Sequence, residues 1–307
     1  MLVTVAICTW NRAELLRQTL EQMCGLRIPA GVEWELIVVD NNCTDDTPQV
    51  VARFTDRLPV QRVVELRQGQ SNARNRAMQV ARGDLLVWTD DDVLVDEEWL
   101  SAYVAAAERW PAADFFGGLI TPWFEADPPS WFQENARVLE GIMVTRDLGS
   151  REARLNPGEF PYGANMAFRR RAFQTQSFDP NLGLVGDNAV RFDEVEYCKA
   201  LERAGFWGVW VPAAKVRHFV VARRMTLEYV WKHFEGEGRG TTRINGTSPG
   251  RPLFGAPRWL YRQYAAAKLD YWWKRARRHP EWLRSFAWAA QIRGTIVEHR
   301  AKSAELR

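Results

Sequence analysis

The sequence predicts an α/β fold: a mostly parallel central sheet flanked by helices, with a helical extension at the C-terminal end. Three observations carry this prediction. Apolar β-like runs alternate with helix-periodic segments through residues 1–90. Each apolar run ends in a cluster of polar residues. The last stretch gives up that alternation for a long aromatic and basic pattern at helical spacing.

The elements follow in order. Leu2-Val3-Thr4-Val5-Ala6-Ile7-Cys8 predicts strand one. Asn11 as N-cap with Glu14 three residues on, then Leu15, Leu16, Leu20 and Met23 at helical spacing, predicts a helix over 13–24. The run Leu36-Ile37-Val38-Val39 predicts a second strand ending at Asp40, and Thr47-Pro48 marks the next helix start. A short strand over 60–66 leads to Gly69 and Ser71, whose hydroxyl caps a helix that stops at Gly83. A fourth strand over 84–89 runs into Asp90-Asp91-Asp92. Strand–helix alternation of this kind implies βαβ units and parallel pairing.

Composition bounds the function classes. At 307 residues and 46% hydrophobic, the chain can bury a sizeable core. Cys8, Cys24, Cys43 and Cys198 show no Cys-x-x-Cys pair and no His/Cys cluster, so a reducing, cytoplasmic setting is expected and a disulfide framework is not. Strand one begins at Leu2 with no basic start or cleavage site before it, so no signal peptide is expected, and the apolar stretch over 115–124 is too short to span a bilayer. The net charge of +3 is unevenly spread: residues 251–307 hold 13 Lys and Arg against 4 Asp and Glu, a net of +9, which leaves −6 for residues 1–250.

Three consecutive carboxylates at a strand tip repel one another, and a divalent cation offsets them. Mg²⁺ or Mn²⁺ held by one or two carboxylates keeps positions open for phosphate oxygens, which points to a pyrophosphate-bearing substrate. Ligands of open α/β sheets bind at the carboxyl ends of the strands, where Thr9, Asp40 and Asp90 to Asp92 all arrive. No Gly-x-Gly-x-x-Gly or Walker-type loop supports a dinucleotide or ATP reading, and no Ser-His-Asp or Cys-His arrangement is needed.

Four segments together carry a resemblance: Thr9-Trp10-Asn11-Arg12, Val39-Asp40-Asn41-Asn42-Cys43-Thr44-Asp45, Asn72-Ala73-Arg74-Asn75 and Asp90-Asp91-Asp92. In this order they resemble the nucleotide-sugar-dependent glycosyltransferases of family 2, with the GT-A fold. The resemblance implies a nucleotide site built from Thr9, Asn11, Arg12, Asp40, Asn72, Arg74, Asp90 and Asp91. Within it Asp40 reads the base, Asp90 faces the ribose, and Arg74 lies near the diphosphate or, alternatively, forms a salt bridge to a carboxylate of the acidic loop. Asp92 reaches the metal, Mn²⁺ or Mg²⁺.

The resemblance extends further at lower specificity. Gly163-Ala164-Asn165 resembles a segment lining the sugar pocket, which implies sugar or acceptor contacts for Gly163 and Asn165. Phe192-Asp193-Glu194-Val195-Glu196 resembles a helix start whose middle carboxylate is the general base of inverting members. Glu194 aligns with that base, with Asp193 as its substitute, although acidic residues also favour a helix N-terminus without any chemistry. His218, after Val216-Arg217, matches a histidine that adds a metal ligand, against the alternative of a packed side chain.

The expected organisation is a nucleotide-sugar half over 1–110, an acceptor half of the same domain over 111–222, and a loop followed by a basic aromatic helical extension over 223–307, with a mobile loop at 236–250. The extension fits either a peripheral helix at the inner face of a membrane or packing on the catalytic domain or a second copy of the chain. No nucleic-acid module accompanies it. The expected function is inverting, metal-dependent transfer of a sugar from a nucleotide diphosphate sugar, UDP-sugar first, to a hydroxyl of a glycan or lipid-linked acceptor. The alternative is a catalytically degenerate scaffold that holds nucleotide-sugar or glycan.

Overall fold

The computed structural model describes residues 1–185, 188–190 and 193–305. Two compact units emerge, one built mainly from residues 1–123, 144–187 and 192–219, the other from 124–143 and 220–307 with a short piece near 190.

The first unit opens with β1 (Leu2–Thr9), α1 (Ala13–Met23), β2 (Glu33–Asp40), α2 (Thr47–Ala52), β3 (Val60–Val64), α3 (Gln70–Val80), β4 (Leu85–Asp90), β5 (Val93–Val95), α4 (Trp99–Arg109) and β6 (Phe115–Phe124). The short helices α5 (Ser130–Glu134) and α6 (Glu140–Met143) of the second unit intervene. The first unit resumes with β7 (Ala153–Arg154), β8 (Met166–Arg169), α7 (Arg170–Phe173), β9 (Gly183–Val185), then, after β10 (Asn188–Val190), α8 (Asp193–Arg203) and β11 (Gly208–Val220).

The central sheet has nine strands in the order β3-β2-β1-β4-β8-β6-β11-β5, with β7 alongside β11. β1 pairs in parallel with β2 and β4, and β2 with β3, so the predicted βαβ half stands. β8 then runs antiparallel to β4 and β6, and β5 antiparallel to β11. Strands buried on both faces read as unbroken apolar runs, as in Leu36 to Val39 and Leu85 to Trp88. One core lies under α1 and α4, around Ile7, Leu20 and Trp99; the other lies under α3 and α8, around Trp88, Phe168 and Phe178.

Register sets the site. Thr9 lies opposite Asp40 and Cys8 opposite Asp90, so the carboxyl ends of β1, β2 and β4 are level. β11 crosses back against β5 with His218 opposite Val93, and Phe219 N donates to Asp92 O at 2.9 Å. A residue far along the chain is thereby delivered beside the acidic triplet.

Two predicted caps are corrected. Asn11 does not cap α1: it sits at φ 51°, and its Oδ1 accepts from Thr44 N, while Asp45 Oδ2 accepts from Ala13 N at the helix start. Ser71 lies inside α3, not at its cap, and its hydroxyl donates to Leu182 O at 2.7 Å. In both cases a partner distant in sequence outbids the local hydrogen bond.

The second unit contains α5, α6, β10, α9 (Leu227–Asn245), the hairpin β12 (Pro252–Leu253) and β13 (Ala256–Pro257), α10 (Arg258–Ala276) and α11 (Trp282–Glu305). Its core gathers Phe132, Ile142, Val230, Leu283 and Phe286. The mobile loop expected from residue 236 is corrected: α9 continues as helix to Asn245. The glycines serve close packing instead. A Cβ on Gly238 would stand 2.0 Å from Gln291 O, and one on Gly294 2.0 Å from Glu235 O, so these positions let α9 and α11 approach backbone to backbone.

Candidate active site

The acidic triplet separates into two roles. Asp91 is buried and held from three sides: Thr9 Oγ1 donates to it at 2.7 Å, Arg12 Nη1 at 3.0 Å, and Thr19 Oγ1 donates to its backbone carbonyl at 2.9 Å. It anchors the turn, and Arg12 continues to Asp92 Oδ2 at 2.9 Å. Arg12, expected at the nucleotide, ties down the triplet.

Asp90, Asp92 and His218 each offer one ligand atom, and the three lie within 4.8 Å of one another. His218 Nε2 stands 3.4 Å from Asp92 Oδ1 with both side chains buried. Two carboxylate oxygens and an imidazole nitrogen suit Mn²⁺, and Mg²⁺ less well because it favours all-oxygen sites. Asp90, expected only at the ribose, joins this group. Burial, then the Asp92 charge, pushes the Asp90 carboxyl up to about 7; burial pushes Asp91 up to about 6 against the pull of Arg12. Crowded acids of this kind are what a bound cation relieves.

Arg74 is buried on α3 and its Nη1 donates to Asp193 Oδ2 at 2.6 Å, with Glu194 Oε2 at 3.7 Å. Its guanidinium also lies over the Phe178 ring, 5.2 Å from the centroid. Burial works to discharge Arg74, but Asp193 and Glu194 outweigh it and hold it charged. Burial pushes Asp193 up to about 8, opposed by Arg74 and reinforced by Glu194. The Asp193 side chain is closed off, whereas that of Glu194 is 25% exposed and reachable. The preceding residue of this motif, Phe192, lies outside the described residues. The charges of Arg74 and Glu194 both act on the Asp90 carboxyl, so the two clusters are electrostatic neighbours.

Gly163 is close to this network for a steric reason: a Cβ there would stand 2.1 Å from Arg74 Nη2. Asn165 braces the fold from within. It is fully buried, Nδ2 donates to Leu119 O and Ala214 O, and Oδ1 accepts from Trp99 Nε1 and Tyr103 OH. All four hydrogen-bonding positions of the amide are taken.

Asp40 is buried at the end of β2, where Oδ1 accepts from Cys43 N at 2.8 Å and Oδ2 from Arg62 Nε at 2.9 Å. A carboxylate retains acceptor capacity beyond two bonds. Asn72 Nδ2 donates to Gln68 O, just before its own helix. Sequence reasoning missed Asn41, whose amide accepts from Gly69 N and donates to Glu65 O and Arg67 O, fastening the loop before α3. Arg62 and Asp45 were missed too; Asp45 lies in the polar cluster after strand two, whereas Arg62 lies on β3 outside it.

Comparison with known proteins identifies the family. A family profile described as glycosyl transferase family 2 matches residues 4–176. A glucosyl-dolichyl phosphate glucuronosyltransferase of Haloferax volcanii is 26% identical over 248 residues, covering 78% of this chain and 75% of that protein. An N-acetylglucosaminyl-diphospho-decaprenol L-rhamnosyltransferase of Mycobacterium tuberculosis is 29% identical over 215 residues, covering 60% and 66%. In structure, the mannosyltransferase PcManGT of Pyrobaculum calidifontis, solved in complex with GDP-Man and Mn²⁺, superposes with a TM-score of 0.57 at 19% identity, over 99% of this chain and 75% of that one. That likeness shows the GT-A fold. With the profile covering more than half its length, the chain belongs to glycosyl transferase family 2 and is a glycosyltransferase.

Proposed function

We propose that the enzyme moves a sugar from a nucleotide diphosphate sugar, a UDP-sugar first, to a hydroxyl of a lipid-linked or polysaccharide acceptor, with inversion at the anomeric carbon. The observation that carries this reading is the Asp90, Asp92 and His218 group, whose Asp90 carboxyl feels the charges of Arg74 and Glu194 from the neighbouring Arg74-held carboxylate pair. Two relatives bear names with polyprenyl-linked acceptors, which supports the acceptor class.

In this reading Asp90, Asp92 and His218 hold Mn²⁺ or Mg²⁺, which when bound offsets the charge that builds on the leaving diphosphate. Glu194 is the general base, reachable where Asp193 is not, and takes the proton from the acceptor hydroxyl. Asp193 and Arg74 orient it. Thr9, Asn11, Arg12 and Asn72 border the nucleotide side, with Asp40 as the acceptor for the base imide. A base and a leaving group on opposite sides of the anomeric carbon give a single in-line displacement, hence inversion.

The test is calorimetric binding of UDP, GDP and dTDP, each with and without Mn²⁺, to the wild type and to Asp92→Ala. Metal-dependent binding of one nucleotide, lost in the variant, is expected. Binding of none would sink the donor assignment.

A further inference from the structure

Among the described residues, seven of the eleven exposed large hydrophobic side chains fall between Leu253 and Trp288. They are concentrated on one helix and the hairpin that leads into it. Helix α10 buries Leu260, Ala267 and Tyr271 on one side. On its outer side Leu269 is 71% exposed, Trp272 59% and Trp273 52%. The helix is thus apolar on two faces, and the protein covers only one of them; an apolar outer face marks an interaction site.

The hairpin repeats the pattern. Phe254 at its tip is 77% exposed and sits at φ 47°, followed by Gly255 at φ 84°. A bulky residue in the left-handed region costs energy that an asparagine or glycine would largely avoid. Here that cost is incurred to display an aromatic ring to solvent.

Charge decides the partner. Residues 251–307 carry a net of +9. Within α10 the single acid, Asp270, is already paired to Lys274 at 2.9 Å. Cations flank the exposed rings: Lys268 Nζ lies 5.7 Å from the Trp272 ring centroid, and the Arg277 guanidinium 4.4 Å from that of Trp273. A second copy of the chain on this face would bring two basic surfaces together, which is repulsive. An anionic bilayer matches both features, with tryptophan rings at the headgroup level and Lys and Arg facing lipid phosphates. No helix among the described residues is long and apolar enough to cross a membrane, so such contact would lie along the surface.

We propose that the outer face of α10 and the tip of the β12–β13 hairpin form a docking surface for an anionic lipid bilayer. The surface is independent of the sugar chemistry, and either reading stands if the other fails. Docking would confine the enzyme to the plane in which a lipid-linked acceptor diffuses.

Co-sedimentation of the full chain with vesicles of phosphatidylcholine and phosphatidylglycerol in equal parts, against phosphatidylcholine alone, tests it. The anionic vesicles are expected to bind at least about tenfold more tightly, with binding weakened by added salt. Trp272→Ser with Trp273→Ser, and separately Arg258→Glu with Arg262→Glu, are each expected to lower binding at least about tenfold. Circular dichroism should match the wild type, because these side chains face solvent. The idea is overturned if the wild type ignores anionic vesicles, or if well-folded variants bind undiminished. It is equally overturned if sedimentation equilibrium shows a dimer that the tryptophan pair holds together and vesicles bind nothing. Should a variant misfold, the lipid and salt dependence of the wild type decides alone.

Discussion

The guanidinium of Arg74 lies 2.6 Å from the Asp193 carboxylate, both side chains buried, and joins α3 to α8 across 119 residues of sequence. Ser71 and Asn75 on the same helix extend the clamp: Ser71 donates to Leu182 O, and Asn75 exchanges two hydrogen bonds with the Phe178 backbone. The segment carrying the candidate base is thus fastened to the first βαβ half of the sheet. A buried pair of this kind adds little net stability, yet losing one partner strands the other charge.

Replacing Arg74 by Met should therefore cost about 3 kcal/mol of stability and lower turnover at least tenfold, by the order of magnitude expected of a misplaced base. It should also move the pH profile. Arg74 favours the ionised carboxylates, so its loss raises their pKa, and the acidic limb of kcat/KM shifts to higher pH. Arg74→Lys, which keeps the charge, should restore most of the limb's position. An unmoved limb in Arg74→Met would show that the guanidinium does not tune the base.

Metal dependence should trace to three side chains. Chelation should abolish transfer and Mn²⁺ should restore it. His218→Ala should raise the metal concentration needed for half activity by about tenfold or more, since a first ligand is lost where outer partners alone cost that much. Asp91→Asn should behave differently, loosening the Thr9 and Arg12 anchor and lowering the thermal midpoint more than the metal affinity. Titration of activity against Mn²⁺, paired with thermal melts, separates the two.

Gly163→Ala is a one-carbon test of the same network. Its Cβ would stand 2.1 Å from Arg74 Nη2, so the guanidinium must move, at a cost of about 1–3 kcal/mol. Because the damage passes through Arg74, the double variant with Arg74→Met should lose much less than the sum of the two single losses. Additive losses in a double-mutant cycle would mean that Gly163 acts elsewhere, as on the sugar.

The frame of this enzyme was legible because its strands are unbroken apolar runs ending in polar clusters, and Asp90 to Asp92 could be placed at a strand tip from that pattern alone. What escaped were the roles of Arg12 and Asn165, each fixed by a distant partner. Arg12 meets Asp91 across 79 residues, and Asn165 meets Trp99 and Tyr103 across 66 and 62, distances at which local spacing carries no information. Gly236 to Gly250 misled for a related reason: glycine signals a loop locally, but Gly238 is used for contact with α11.

Glu35 offers a stability test away from the chemistry. It is buried on β2, accepts from Thr4 Oγ1 at 2.6 Å, and accepts from Arg82 N at 2.9 Å and Arg82 Nε at 2.7 Å. Burial works to raise its pKa, but these hydrogen bonds outweigh it and hold the carboxyl below its ordinary value. A carboxylate with a lowered folded pKa contributes stability that is fully present above the unfolded value and is lost as pH falls through the folded one. Glu35→Gln should thus cost about 2 kcal/mol at neutral pH, the scale of a charge-assisted hydrogen bond with its partners left unpaired. The gap to the wild type should close in acid, where the native side chain is protonated as well. Urea unfolding of both proteins at pH 7 and again below the ordinary glutamate range measures it, and a gap that stays constant with pH would show that shape, not charge, holds Thr4 and Arg82 in place.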